Sequence, residues 1–245
     1  MNNPKIQKLI DAAENLMLSS QDPIHDIGHA RRVVRNAKIL SRDLKLNTKQ
    51  KDILTLTSWW HDVSRTINNR PSFIWMTCFD DFISALMLIR EMFRSRIFTK
   101  TAIGTVCLLL CKSLAGGSLL TRILLRKKDR ILVDVAHDAD NLDVINLERV
   151  KTVFKMVDSS KIYSFAYRIM IQWYTRSDQL YMKTSAARKY VEDIIRQFIN
   201  WLKQKSVIFW HIKTFGERWV KKNLKKLESL LKKITLNNLE VSGVG

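Results

Sequence analysis

The sequence predicts an all-α protein, and three observations lead there. Seven Gly and three Pro in 245 residues leave few turn formers for the tight connections of a β-sandwich or barrel. Apolar residues recur at three- and four-residue spacing through most of the chain, as on the buried stripe of a helix. No segment shows the sustained period-two alternation of a half-buried strand. The length suffices to bury a substantial core in one or two domains.

Taken in order, Ile6, Leu9, Ile10, Ala13 and Leu16/Met17 predict a first helix over 4–18, broken by Ser19-Ser20-Gln21-Asp22-Pro23, because Pro fits only a helix's first turn. A second helix is expected from Ile24 to Leu44. Thr48 is placed as N-cap of a third, ending near Arg65. Asn68-Asn69-Arg70-Pro71 reads as a loop. Helical spacing resumes over 73–93 and 101–114, with Gly116-Gly117 as the stop. Further helices are expected over 118–128, 131–145, from Ser159 or Ser160 to Tyr174, and from Ser185 to Trp201 after a Thr184 cap.

One globular domain over residues 1–204 is expected, followed by a basic amphipathic helical extension over 205–245. Nine Lys or Arg from Lys205 to Lys233 face only Glu217 and Glu228 in that stretch. Leu224, Leu227, Leu231 and Ile234 form an apolar stripe beneath them. Such a helix either packs on the domain and shows a solvated face, grips nucleic acid or an acidic partner, or lies on a membrane surface. The net charge of +19 favours polyanionic partners, although a general bias toward Lys produces the same number.

Three cysteines, Cys78, Cys107 and Cys111, make no disulfide framework. Cys107 and Cys111 read as small core residues of an apolar helix or as half of a zinc site. The polar N-terminus lacks a signal-peptide core, and Ala102–Cys111 is too short to span a bilayer. A cytoplasmic protein without a transmembrane segment is expected.

Four of the five histidines and a knot of carboxylates fall in three stretches of this cationic chain. They are Asp22-Pro-Ile-His25-Asp26-Ile-Gly-His29, Trp59-Trp60-His61-Asp62 and His137-Asp138-Ala-Asp140-Asn-Leu-Asp143. We read the three as meeting around one divalent metal. On a helix from Ile24, His25 and His29 share a face, with Arg31, Arg32 and Arg35 behind them. Imidazole with carboxylate suits Mn²⁺, Fe²⁺, Co²⁺, Ni²⁺ or Zn²⁺, and Mg²⁺ where waters complete the shell. Trp59 and Trp60 are expected as core and pocket wall, in either order.

The ordered motifs His-Asp-Ile-Gly-His-Ala-Arg-Arg-Val, His61-Asp62 and Asp-Ala-Asp-Asn-Leu-Asp resemble the HD-domain superfamily of metal-dependent phosphohydrolases. With Leu180–Arg188, which is similar to the closing part of its bacterial stand-alone members, the resemblance covers about residues 5–204. It implies an HD-like helical bundle that cleaves phosphate monoesters or phosphoanhydrides, nucleotides foremost, through a metal-activated water. It also implies His25, His61, Asp62 and Asp138 as ligands of a single metal, and His29 and Arg32 as residues supporting the metal or contacting substrate.

The chain departs from that pattern in two places. Asp80-Asp81 stands where relatives carry His-Glu before Ser-Ala, so Asp80 or Asp81 is either the general base or an acid pair suited to a helix N-terminus. Arg65 keeps a cation after His-Asp where a phosphate would sit. Asp140 and Asp143 are open between orienting ligands and direct catalysis. The rival functions are a phosphodiesterase or phosphatase acting on RNA or DNA through the basic C-terminal arm, and an inactive sensor or scaffold of the same type.

Overall fold

The computed structural model describes residues 3–67, 79–113, 117–175 and 182–242. The protein is all-α, and no strand occurs among these residues. No helix among them is long and apolar enough to cross a membrane. The chain forms two compact units, Met1–Asp143 and Val144–Gly245.

In the first unit α1 spans Pro4–Leu18, α2 Ile27–Asp43 and α3 Thr48–Trp60, with a 3₁₀ turn at Val63–Ile67. Then come α4 (Asp80–Ser95), α5 (Lys100–Lys112), α6 (Gly117–Leu124) and α7 (Ile131–Val144). Helix α3 packs against α1, α2, α4 and α5, and nine of its residues, Gln50 and Ile53–Trp60, are buried. A capping box starts it: the Asn47 side chain accepts from Gln50 N–H, and the Gln50 side chain accepts in return from Asn47 N–H. The reciprocal pair satisfies two helix-end donors, so the cap is Asn47 rather than Thr48. Trp60 is fully buried, and its indole N–H donates to the Leu9 carbonyl at 3.0 Å. Trp59 also belongs to the core.

Helix α2 begins three residues later than its apolar spacing predicts. Asp22 accepts from the backbone N–H groups of Ile24 and His25, which holds them in a turn. Asp26 then caps the helix by accepting from His29 N–H at 2.8 Å. His25 therefore lies ahead of the helix and shares no helical face with His29. Helix α4 is described from Asp80; its expected onset at 73–78, the Asn68–Pro71 loop, Cys78 and Leu114–Gly116 lie outside the described residues. Cys107 and Cys111 are free thiols, Cys111 buried in the apolar face of α5.

The second unit contains α8 (Leu147–Met156), which the sequence reading passed over, α9 (Lys161–Tyr174), α10 (Ser185–Leu202), α11 (Lys205–Phe215) and α12 (Glu217–Ser242). Thr184 caps α10 as expected. The extension expected over 205–245 is two helices, not one, because Gly216 at φ +86° breaks it. Such a φ is strained for any residue with a Cβ. Both helices pack within this unit, α12 on α9, α10 and α11, so the compact units part at 143/144 rather than at 204/205. Val220, Leu227 and Leu230 are buried, while Arg218, Lys221, Lys222, Lys225, Lys226, Lys232 and Lys233 are exposed.

His211 sits among Phe154, Trp201, Trp210 and Phe215. Its Nδ1 donates to the Val207 carbonyl at 2.7 Å, which leaves Nε2 to accept from the Tyr167 hydroxyl at 2.7 Å. Burial lowers its pKa, only partly opposed by the Val207 hydrogen bond. The folded state therefore keeps His211 neutral while the unfolded chain takes up a proton near pH ~6.5. Stability from this group is complete above that pH and declines below it, by up to about 1.4 kcal/mol per pH unit. Urea titrations of wild type and His211→Gln should show their stability gap shrinking from pH ~7.5 to ~5.5; a constant gap contradicts the assignment.

Candidate metal centre

The end of α3 sets the site. Where the helix stops at Trp60, the Ser84 hydroxyl from α4 donates to the His61 carbonyl at 2.9 Å and accepts from Ser64 N–H at 3.0 Å. One side chain thus satisfies a carbonyl left without a partner at the helix end and an N–H of the turn that follows. The turn that follows presents His61 and Asp62 together.

Four acceptor atoms converge there. His29 Nε2 lies 3.0 Å from His61 Nε2 and 3.0 Å from Asp62 Oδ2. His61 Nε2 is 3.2 Å from Asp62 Oδ2. Asp140 Oδ1 stands 3.7 Å from the first imidazole and 3.9 Å from the second. Two ligands about 2.1 Å from an ion are about 3.0 Å apart at a right angle and about 3.4 Å at a tetrahedral one. The observed separations are on the scale of the edges of a coordination shell, and the ligand atoms of His29, His61 and Asp140 lie within 4.8 Å of one another.

The outer nitrogens fix which face each ring presents. His29 Nδ1 meets Asp143 Oδ2 at 2.6 Å, and a carboxylate only accepts, so Nδ1 carries the proton. His61 Nδ1 donates likewise to the Ser58 carbonyl at 2.9 Å. In the neutral rings both Nε2 atoms are then bare lone pairs, facing each other beside two carboxylates. Such a set repels itself unless a cation lies within it. Without a metal, a proton on His61 meets that need: burial lowers its pKa, but Asp62 and Asp140 outweigh this and raise it to about 9. Burial alone would raise Asp62, yet the His61 charge and the contacts of its Oδ2 with His61 and His29 hold it well below its ordinary value.

Two of the clustered residues differ from those expected as ligands. His29, expected behind the metal, takes the place assigned to His25, because α2 starts only at Ile27. His25 Nδ1 pairs instead with Asp22 at 3.1 Å, and its ring stands edge-on to His29 at 5.5 Å. Asp140 takes the place assigned to Asp138. The α7 pitch turns Asp138, two residues earlier, about 200° around the axis, whereas Asp143, three residues later, returns to the same side.

The surrounding charges pair off. Arg32, expected to contact substrate, donates to Asp143 Oδ1 at 2.5 Å, so Asp143 orients His29 and Arg32 holds Asp143. Arg65, expected to meet a phosphate, is 4 % exposed and bound to Asp80 at 2.5 Å. Asp80 also accepts from the Ser64 hydroxyl. Burial and the Asp62 charge raise Asp80 to about 7 against the opposing pull of Arg65 and Ser64. Asp81 pairs with Lys112 at 3.2 Å, and Lys112 also reaches Asp140 Oδ2 at 3.1 Å. Lys112 lies outside every motif, and only the packing of α5 against α4 reveals it. Comparison with protein-family models, curated proteins and solved structures returns no match.

His29→Ala should weaken Mn²⁺ binding at least about tenfold, while His25→Ala changes it less than about threefold. Isothermal titration checks this, and the reverse ranking would move the centre to His25.

Proposed function

We propose that the chain is a metal-dependent phosphohydrolase of HD type, cleaving a phosphate monoester or phosphoanhydride, with nucleotides as the first substrate class. The observation that carries this reading is the convergence of two imidazole nitrogens and two carboxylates at one point. The resemblance of the three motifs that supply them gives the reaction class. A divalent ion held by His29, His61, Asp62 and Asp140 would polarise a phosphoryl oxygen and lower the pKa of a water.

The protein's own groups divide the remaining work. Asp143 and Arg32 keep His29 in the tautomer that faces the site, and the Ser58 carbonyl does the same for His61. Asp81, held by Lys112, and Asp80, held by Arg65 and Ser64, are both candidates for general base. Burial raises the pKa of Asp81 despite Lys112, which suits a carboxylate for accepting a proton. Asp80 also braces the turn that carries Asp62. His25, more exposed than the cluster histidines, stands at the rim where substrate would arrive.

Asp62→Ala should abolish Mn²⁺-dependent release of phosphate or pyrophosphate across a nucleotide panel, with helical content unchanged. Turnover that survives the substitution excludes this reading. The exposed lysines of α12 favour one alternative, a nucleic-acid substrate, for which binding would fall steeply with salt.

A further inference from the structure

Lys112 is buried at the last turn of α5, with 8 % of its side chain exposed. Its ammonium lies 3.1 Å from Asp140 Oδ2 and 3.2 and 3.3 Å from the two oxygens of Asp81. The other oxygen of Asp140 faces the imidazoles. Asp140 thus has one oxygen toward the imidazoles and the other on the ammonium. In two-metal hydrolases the ions stand about 3.5–4 Å apart and clamp both oxygens of the displacement. A carboxylate with one oxygen toward each position, and a further carboxylate behind the second, is a suitable frame for such a pair.

The charges agree. Asp143 is matched by Arg32, Asp80 by Arg65 and Asp81 by Lys112. Asp62 and Asp140 stand about the imidazoles, Asp140 sharing the Lys112 ammonium with Asp81. Replacing the ammonium by a neutral group would leave Asp81 uncompensated beside Asp140, a net negative position open to another cation. Against the filled position, a second ion meets like-charge repulsion at close range.

We infer that Lys112 is a positioning residue that serves as the second cation of the centre, restricting it to one divalent ion and holding Asp140 with a single oxygen toward that ion. The inference rests on the metal reading above and extends it. It explains the pairing of Asp81 with a buried lysine where a solvent-exposed acid would need no partner.

The test is Mn²⁺ stoichiometry on the full chain, by equilibrium dialysis with elemental analysis, together with electron paramagnetic resonance. Wild type should bind one ion with the signal of an isolated Mn²⁺. Lys112→Met should bind two, with exchange-coupled signals, and Asp81→Asn/Lys112→Met should return to one because the additional carboxylate charge is gone. A purely structural lysine would not produce that reversal. Lys112→Met remaining at one ion with unchanged affinity overturns the inference and leaves the metal reading standing. A coupled pair in wild type overturns it without any variant, which covers the case in which Lys112→Met does not fold. Wild type binding no Mn²⁺ overturns both readings.

Discussion

Two imidazole nitrogens 3.0 Å apart, each ring hydrogen-bonded on its far side, face one another beside two carboxylates. The arrangement needs a positive charge, which a proton on His61 or a bound cation would supply. The first unit is arranged around that constraint. Asp143 and Ser58 aim the rings, Arg32 holds Asp143, and the α4 N-terminus clasps the turn after α3 through Ser84, Asp80 and Arg65. Every one of these partners is itself hydrogen-bonded or ion-paired. Partners that brace one another in this way stiffen a buried polar network.

Rigidity at the site follows from where it is built. Helix α3 is surrounded by other helices and anchored to α1 through Trp60 and Leu9, so its end is a fixed point rather than a mobile loop. The histidines and acids arrive from α2, the turn after α3, and α7. No side chain of the cluster comes from a long connecting segment. The second unit stands on a different core, the aromatic cluster about His211, and turns the basic residues of α12 outward. The strong positive charge of the chain therefore resides partly on a face that packing leaves in water, as expected for charged groups without buried partners.

Much of the fold was legible. Helical class and most helices followed from apolar spacing and the scarcity of Gly and Pro, and Thr184 announced α10. The misplaced boundaries have local causes. Asp22 and Asp26 hold the chain ahead of α2 in hydrogen-bonded turns, which apolar periodicity does not register, and this one shift exchanged His25 for His29. The choice among Asp138, Asp140 and Asp143 depended on the rotation of α7 about its axis, and only the packing of neighbouring helices sets that angle. Arg32 and Arg65 looked like free cations because sequence shows charge without its partner. Lys112 carried no signal at all, being brought to Asp81 by the association of α4 with α5.

Anomalous scattering from a crystal of the Mn²⁺-loaded protein tests the central claim most directly. A single peak within about 2.3 Å of His29 Nε2, His61 Nε2 and oxygens of Asp62 and Asp140 is the predicted result. A peak held by His25 or Asp138, or no peak with the four side chains still in place, would contradict it.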